Sequence, residues 1–262
     1  MKKNSSEIAS KFLKLVEIMD LLRSENGCPW DKEQTFETLR QYLLEETYEV
    51  IELIDSKKYD ELQNELGDLL LQVIFQSQIA KEGELFDIGD VIENINVKLV
   101  HRHPNVFGDM EINSAEEQTI NWEKMKKKEG KKSVIDGVPK QLSALSRAHR
   151  LQSKAATVGF DWDRVDDVWD KINEEFNELK EAIAEDDIDM IEDEFGDVLF
   201  SLVNLSRFLK VNPEDSLRKT INKFIYRFKK LEENFANKNI QLSDLTLEEM
   251  DEAWDEIKKK SK

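Results

Sequence analysis

Apolar side chains recur at spacings of three and four along most of this chain, which is the period of an amphipathic α-helix. In residues 5–24, for example, Ile8, Phe12 and Leu15 follow this spacing, and Gly27 lies just past the segment. No segment shows the strict alternation of a half-buried β-strand, so the predicted fold is all-α. The other predicted helices span residues 35–54, 59–81, 88–102, 114–128, 141–157, 165–185, 188–210, 213–234 and 247–260.

Glycine and proline mark the breaks between these helices. The sequence GCPWD at 27–31 is interpreted as a turn, and HPNVFG at 103–108 stops the fourth helix. Trp30 lies in the first of these segments and Trp162 in a similar one later in the chain. Beside turn residues, both rings are expected to serve as packing anchors.

One acidic pattern occurs twice. EETYE at 45–49 is followed by ELGD at 65–68, and EEFNE at 174–178 is followed by EFGD at 194–197. Every acidic position of the first copy recurs at an offset of 129, as from Glu45 to Glu174. The chain is therefore expected to contain an internal duplication.

The duplication predicts two tandem helical-bundle domains. We place them at residues 1–130 and 140–262, with a linker at 131–139. The linker contains Gly137 and Pro139 and follows a lysine-rich run, which is typical of a solvated hinge.

Composition and charge narrow the class of protein. A net charge of −18 argues against a nucleic-acid-binding surface, which requires a basic face. The single cysteine, Cys28, excludes an intramolecular disulfide and fits a reducing compartment. No stretch resembles a signal peptide or a membrane span. We expect a cytoplasmic protein that binds neither nucleic acid nor membrane.

The repeated acids suit a divalent cation. Carboxylates three residues apart share one helical face, so two such pairs on adjacent helices surround one gap. Several carboxylates at one point repel each other unless a cation joins them, and all-oxygen ligands favour Mg²⁺, or Mn²⁺, over zinc. No histidine or cysteine motif for zinc or di-iron is present. The predicted ligands are Glu46, Glu49, Glu65 and Asp68 in the first half, and Glu175, Glu178, Glu194 and Asp197 in the second.

A glycine stands between the last two ligands of each half, Gly67 and Gly196. Glycine within a helix costs about 1 kcal/mol relative to alanine. Its presence in both halves suggests that a backbone or a ligand approaches closely there.

Basic residues follow each acidic pattern. Lys98 and Arg102 lie four apart in the first half, as Lys223 and Arg227 do in the second. Enzymes that catalyse phosphoryl chemistry commonly combine metal-bound carboxylates with nearby lysine and arginine side chains. The chain has no Walker-type loop, which excludes a P-loop mechanism. Trp254 could stack on a base or belong to the core.

These motifs resemble a known family. The tandem EExxE and ExxD pattern, with GCPWD near the start and RHPNVFGD after the fourth helix, is similar to the MazG nucleoside triphosphate pyrophosphohydrolases. The resemblance covers nearly the whole chain. It implies an Mg²⁺-dependent enzyme that converts NTPs and dNTPs to the monophosphate and pyrophosphate, by attack of water on the α-phosphate, in nucleotide-pool house-cleaning. It also implies a homodimer.

The resemblance assigns roles residue by residue. It makes the eight carboxylates the metal ligands and gives the second half a catalytic set, in which Glu174 orients water or supports the metal shell. It implies that substrate is bound by Lys223, Arg227, Trp254 and Lys258, with Lys98 and Arg102 as the counterparts in the first half. The implied catalytic set is Glu174, Glu175, Glu178, Glu194 and Asp197.

The two halves differ around the cations, where the first has KLVHRHP and the second KFIYRFK. The two nucleotide pockets are therefore expected to differ. The resemblance implies that turnover takes place chiefly in the second half, with dimerisation as the main role of the first. One alternative is a narrower dUTP or phosphoribosyl-ATP pyrophosphohydrolase. Another is a non-catalytic, metal-binding helical interaction protein.

Overall fold

The computed structural model describes residues 2–114, 117–119, 121, 122, 125 and 133–260. All regular secondary structure in these residues is helical, with no strand, which confirms the all-α prediction. The chain divides into two compact units, Met1–Ile112 and Asn113–Lys262. The predicted helix at 114–128 and linker at 131–139 lie partly outside the described residues, so the domain boundaries stay predictions.

The first unit is built from three long helices, with shorter helices between and after them. The helices are α1 (Lys2–Arg23), α2 (Pro29–Glu33), α3 (Leu39–Ser56), α4 (Leu62–Glu82), α5 (Ile88–Arg102) and α6 (Pro104–Phe107). Helix α4 packs against both α3 and α1.

The core of the first unit is Met19, Leu39, Ile74 and Phe75, contributed by α1, α3 and α4. Burying an apolar side chain of this size stabilises the fold by about 1.5–3 kcal/mol. Phe12, from the apolar stripe that predicted the first helix, packs against this core. The stripe therefore faces inward, as its period requires.

Ion pairs also join α1 to α4. Arg23 Nε and Nη2 donate to the Glu82 carboxylate at 2.8 and 2.7 Å, and Lys81 Nζ lies 2.8 Å from Asp20 Oδ1. The Arg23 hydrogen bond holds the pKa of Glu82 below its usual value, against the raising effect of burial.

The second unit repeats the long-helix plan. Its helices are α7 (Ala144–Ala156), α8 (Val165–Glu185), α9 (Ile188–Phe208), α10 (Pro213–Ala236) and α11 (Leu247–Lys260), with a 3₁₀ turn at Leu242–Asp244. Helices α8 and α9 pack against each other, α7 packs on α9 and α10, and α10 packs on α11.

Val168, Ile172 and Leu205 form the buried core between α8 and α9. Other apolar side chains stay exposed within their own unit. On α10 they are Leu217, Ile221, Phe224, Ile225, Tyr226 and Phe228, and on α5 they are Ile92, Ile95, Val97, Leu99 and Val100.

In both carboxylate-bearing helix pairs, the first helix ends at a residue in the left-handed backbone conformation. Lys57, after α3, and Asp186, after α8, both adopt the left-handed conformation, with φ of 59° and 56°. They stand 129 residues apart, so this helix ending recurs with the acids. Asp187 then caps α9 by accepting hydrogen bonds from Asp189 N and Met190 N. Short links of this kind favour adjacent helices.

Sequence and structure differ at two of the predicted breaks. The segment interpreted as a turn contains a short helix, Pro29–Glu33, and the helix stop after His103 contains another, Pro104–Phe107. Proline begins both, since its fixed φ suits the first helical position and it has no N–H to leave unpaired. Elsewhere in the described chain, predicted and observed helix ends agree within four residues. No described helix combines the length and apolar character needed to cross a bilayer.

Candidate active site

The first acidic cluster lies between α3 and α4. Glu46, Glu49 and Glu65 each offer a carboxylate oxygen, and these three atoms lie within 4.8 Å of one another. Helical spacing explains the arrangement, because Glu46 and Glu49 share a face of α3 that meets α4 at Glu65. Three of the four predicted ligands of this half are thus brought together.

Charge accumulates in this first cluster. Burial raises the pKa of Glu46, and the charges of Asp68, Glu49 and Glu65 raise it further. The pKa of Glu65 is also raised, by burial and by a hydrogen bond with Glu49. Among the described residues, no lysine or arginine forms an ion pair with these three glutamates. Protonation or a bound cation would relieve the repulsion.

The second cluster repeats this geometry between α8 and α9. Glu175, Glu178 and Glu194 place one carboxylate oxygen each within 4.8 Å of one another. Glu175 is the most enclosed, with a relative exposure of 6%. Its hydrogen bond with Glu178 raises the pKa of Glu178, and burial and the Glu175 charge act in the same direction.

A lysine distinguishes the second cluster from the first. Lys171 Nζ lies 2.8 Å from Glu174 Oε1 and 2.9 Å from Glu175 Oε1. These hydrogen bonds raise the pKa of Lys171, and its charge lowers that of Glu178. The residue 129 positions earlier is Tyr42, whose ring packs edge-on to Trp30 at 5.7 Å. Sequence reasoning missed Lys171, although its spacing of three and four from the EE pair was a usable signal.

Asp68 and Asp197, the fourth predicted ligands, lie outside the two groups of close oxygens. Asp68 is still near enough for its charge to be the second-largest cause of the raised Glu46 pKa. Both aspartates stand one turn beyond the grouped glutamate of their helix, as the ExxD spacing requires.

No neighbouring backbone lies close to Gly67 or Gly196 within its own unit, in contrast to the expectation. A Cβ built on Gly67 or Gly196 would meet no atom within 4 Å. The part of the expectation that invoked a neighbouring backbone is therefore wrong within each unit. The space beside both glycines is open, which leaves room for a ligand or a second chain.

The predicted substrate contacts of the second half lie on α10 and α11. Lys223 is exposed and Arg227 half-buried, one turn apart on α10. Trp254, on α11, packs on Phe224 with ring centroids 5.4 Å apart, and Lys258 follows one turn later. In the described structure, Lys223 makes no ion pair with the second cluster. In the first half, Lys98 is exposed and Arg102 half-buried at the end of α5.

The donor set of both clusters fits Mg²⁺. Each cluster offers three carboxylates with oxygens close enough to share one ion, and exposed members leave an entry path. Hard oxygen ligands without nitrogen or sulfur select Mg²⁺ or Mn²⁺. The raised pKa values of Glu46, Glu65 and Glu178 indicate negative charge that a cation would stabilise.

Comparisons with known proteins agree with this duplicated arrangement. The MazG nucleotide pyrophosphohydrolase domain matches the chain twice, at residues 34–107 and 166–231. A nucleoside triphosphate pyrophosphohydrolase/pyrophosphatase MazG of Thermotoga maritima is 50% identical over 250 residues, which cover 94% of this chain and 95% of the relative. A nucleoside triphosphate pyrophosphohydrolase of Escherichia coli K12 is 42% identical over 255 residues, with 94% and 96% covered. Because both halves match and the similarity runs along nearly the whole length, the chain belongs to the MazG nucleotide pyrophosphohydrolase family and is a hydrolase of phosphorus anhydrides.

Proposed function

We propose that this protein hydrolyses nucleoside and deoxynucleoside triphosphates to the monophosphate and pyrophosphate, with Mg²⁺ as cofactor, in nucleotide-pool house-cleaning. The observation that carries the proposal is the pair of carboxylate groups, each with three oxygens within 4.8 Å. The names of the Thermotoga maritima and Escherichia coli relatives support the substrate class. Attack of water on the α-phosphate accounts for these products.

Glu175, Glu178 and Glu194 would hold the ion in the second unit, with Asp197 completing the set from the next turn of α9. When bound, Mg²⁺ neutralises phosphate charge and lowers the pKa of water. Glu174 has a side chain that is 57% exposed and lies beside Glu175, a position suited to orienting the attacking water. Lys223 and Arg227 would bind the triphosphate, and arginine can do so in bidentate fashion.

We assign turnover chiefly to the second unit. Glu175 is more enclosed than Glu46, and burial strengthens electrostatic interactions. The first cluster, Glu46, Glu49, Glu65 and Asp68, would bind metal, with Lys98 and Arg102 as its cationic counterparts.

A homodimer would explain the exposed apolar surface. Apolar side chains on α5 and α10 are left uncovered within their own units, and contiguous patches of this kind usually mark interfaces. The open space beside Gly67 and Gly196 would admit a second copy of the chain.

Product analysis tests the activity. The full chain is incubated with ATP and Mg²⁺, and the products are separated by anion-exchange chromatography. AMP and pyrophosphate are expected, and EDTA should abolish their formation. ADP and phosphate would contradict attack at the α-phosphate, and no product from any triphosphate would favour a non-catalytic, metal-binding interaction protein. Turnover of dUTP alone would favour the narrower enzyme.

A further inference from the structure

A cavity of about 430 Å³ opens in the second unit, between α7, the loop after it and α9. This volume lies within the range of about 300–1,000 Å³ that is typical of small-molecule sites. The walls are largely apolar and include the aromatic rings of Phe160, Trp162 and Phe200. Phe160 is 80% exposed, so the cavity is open to solvent on that side and a ligand has an entry path.

The cavity wall contains a buried hydrogen-bond acceptor. Gln152, on α7, is 7% exposed and lines the cavity. Its Nε2 donates to the backbone oxygen of Phe200 at 2.9 Å, and because a carbonyl oxygen only accepts, this bond fixes the orientation of the amide. Gln152 Oε1 is buried, and no donor in the described part of the chain bonds to it. A buried acceptor of this kind destabilises the fold until a donor reaches it.

The other charged and amide side chains of the described lining bond to one another. Asp161 accepts two hydrogen bonds from Arg207, of 2.7 and 3.2 Å, and Arg207 Nη1 donates to Asn204 Oδ1 at 2.9 Å. The opposite charges of Asp161 and Arg207 therefore neutralise each other at the wall. Because burying an unpaired charge is costly, the cavity favours an uncharged ligand.

An organic donor suits Gln152 Oε1 better than water does. A buried water molecule needs about two to four polar partners, and aromatic walls do not supply them. An aromatic ring with an N–H group can donate to Gln152 Oε1 and also bury its apolar faces against Phe160, Trp162 and Phe200. The acceptor and the walls together therefore define one chemical class of ligand.

The first unit has a large side chain at one position of this wall. By the offset of 129 that relates the carboxylates, Phe75 on α4 corresponds to Asn204 on α9. Phe75 is buried, with the Arg23 guanidinium 5.5 Å from the centre of its ring and the Trp30 ring packed on it at 6.5 Å. The second unit thus has a smaller amide, on the cavity wall, where the first has a packed ring.

The cavity is separate from the second carboxylate cluster. Its wall on α9 begins at Phe200, which stands six residues, or about 9 Å along the helix axis, beyond Glu194. From there the wall extends to Arg207, away from the carboxylates. None of the three grouped glutamates belongs to the described lining.

We propose that this cavity is a second ligand site, for a small, uncharged aromatic molecule that donates an N–H hydrogen bond to Gln152 Oε1. The rings of Phe160, Trp162 and Phe200 cover the faces of the ligand. The paired charges of Asp161 and Arg207 close one side of the cavity without attracting an ion. This site is distinct from the one that holds the triphosphate in the proposed function, and it does not depend on that function.

Indole and benzofuran form a matched pair of probes, because they have nearly the same shape and only indole carries an N–H group. Each probe is titrated against the full chain, and its dissociation constant is measured by ligand-observed NMR. Indole should bind about tenfold more tightly, which is the size of one hydrogen bond to a buried acceptor. Equal affinities, or no saturable binding of indole, would overturn the proposal.

Gln152→Met removes the acceptor and keeps a side chain of similar length. The preference for indole over benzofuran should disappear in this variant, while benzofuran still binds. Gln141→Met makes the same change at an exposed position outside the described lining, so the tenfold preference should remain. A preference that persists in Gln152→Met would show that another group receives the N–H, and the proposal would be wrong.

Filling the cavity should remove the binding of both probes. Asn204→Phe introduces the ring found at the corresponding position of the first unit, and Ala155→Phe fills the cavity from α7. Circular dichroism checks the fold, and two variants are made so that misfolding of one leaves the other as the test. Ala236→Phe, at an exposed position on α10, is the control and should bind both probes as the wild type does. Binding that survives in a folded filling variant would place the probes elsewhere and refute the site.

A final variant separates the cavity from the carboxylate cluster. Glu178→Ala disrupts the cluster and should leave the dissociation constants of indole and benzofuran unchanged. Loss of indole binding in Glu178→Ala would assign the probe to the carboxylate cluster and overturn the proposal of a second site. Because these measurements use binding alone, they stand whether or not the protein hydrolyses triphosphates.

Discussion

The ammonium of Lys171 lies 2.9 Å from Oε1 of Glu175, inside the second carboxylate cluster. It therefore neutralises part of the charge that a metal ion would otherwise neutralise. The first cluster has Tyr42 at the equivalent position. Two clusters with the same acids thus differ in how much they depend on a cation from solution.

Removing this lysine should tighten metal binding at the second cluster. In Lys171→Met the ion no longer competes with an ammonium for Glu175, and we expect Mn²⁺ affinity to rise about fivefold, at the low end of typical coupling energies. Titration calorimetry measures this, with Glu49→Gln in both proteins to weaken the first cluster. Lys180→Met, on the same helix, is the control and should not change affinity. Weaker Mn²⁺ binding in Lys171→Met would contradict the competition.

Glu178→Ala should nearly abolish turnover while leaving the chain helical. Substitutions of residues that merely support a metal ligand already cost about 10–100-fold, so loss of a ligand should cost at least 100-fold in kcat. Pyrophosphate release measures the activity, and circular dichroism checks the fold. Glu49→Ala, the same change at the equivalent position of the first cluster, should retain most activity. The reverse pattern would move turnover to the first unit.

Stabilisation by Mg²⁺ should depend on pH. The pKa values of Glu46 and Glu65 are raised in the folded chain. Without metal, the two carboxyl groups therefore stabilise the fold at a pH below their pKa in the unfolded chain, and this stabilisation is lost as the pH rises through their pKa in the folded chain. Metal needs the ionised carboxylates, so the increase in Tm on adding Mg²⁺ should be larger at pH 8 than at pH 5. Differential scanning fluorimetry measures it. Glu46→Gln should reduce this difference, and Glu52→Gln, an exposed acid on the same helix, should not.

The Arg23–Glu82 pair should make the first unit sensitive to acid. The pKa of Glu82 is lowered in the folded state, so its stabilisation is present above the unfolded pKa of about 4.3 and lost as pH falls through the folded value. Glu82→Gln should therefore show a smaller loss of unfolding free energy between pH 5 and pH 3, by urea denaturation. Glu61→Gln removes an exposed pair with Lys58 and should leave the slope unchanged. Equal slopes in all three proteins would show that the pair is not coupled to folding.

Much of the fold could be predicted from local spacing. The apolar period located the helices, because it reflects which face of each helix must be buried. The apolar period did not predict the helices Pro29–Glu33 and Pro104–Phe107, because helices of four or five residues are too short to show a period. The clusters were predicted because carboxylates three apart on paired helices must converge. A cavity of about 430 Å³ between α7, the loop after it and α9 could not be predicted, because its walls come from separate segments, such as Phe160 and Phe200, that only packing brings together.

The sequence by itself determined the all-helical fold, the duplication and the identity of the acids, all of which follow from spacing along one chain. Tertiary structure decided which of the predicted ligands meet. Glu194 of α9 joins Glu175 and Glu178 of α8, whereas Asp197 lies outside this group. Such contacts depend on distances between helices, and no periodicity within a single helix encodes those distances.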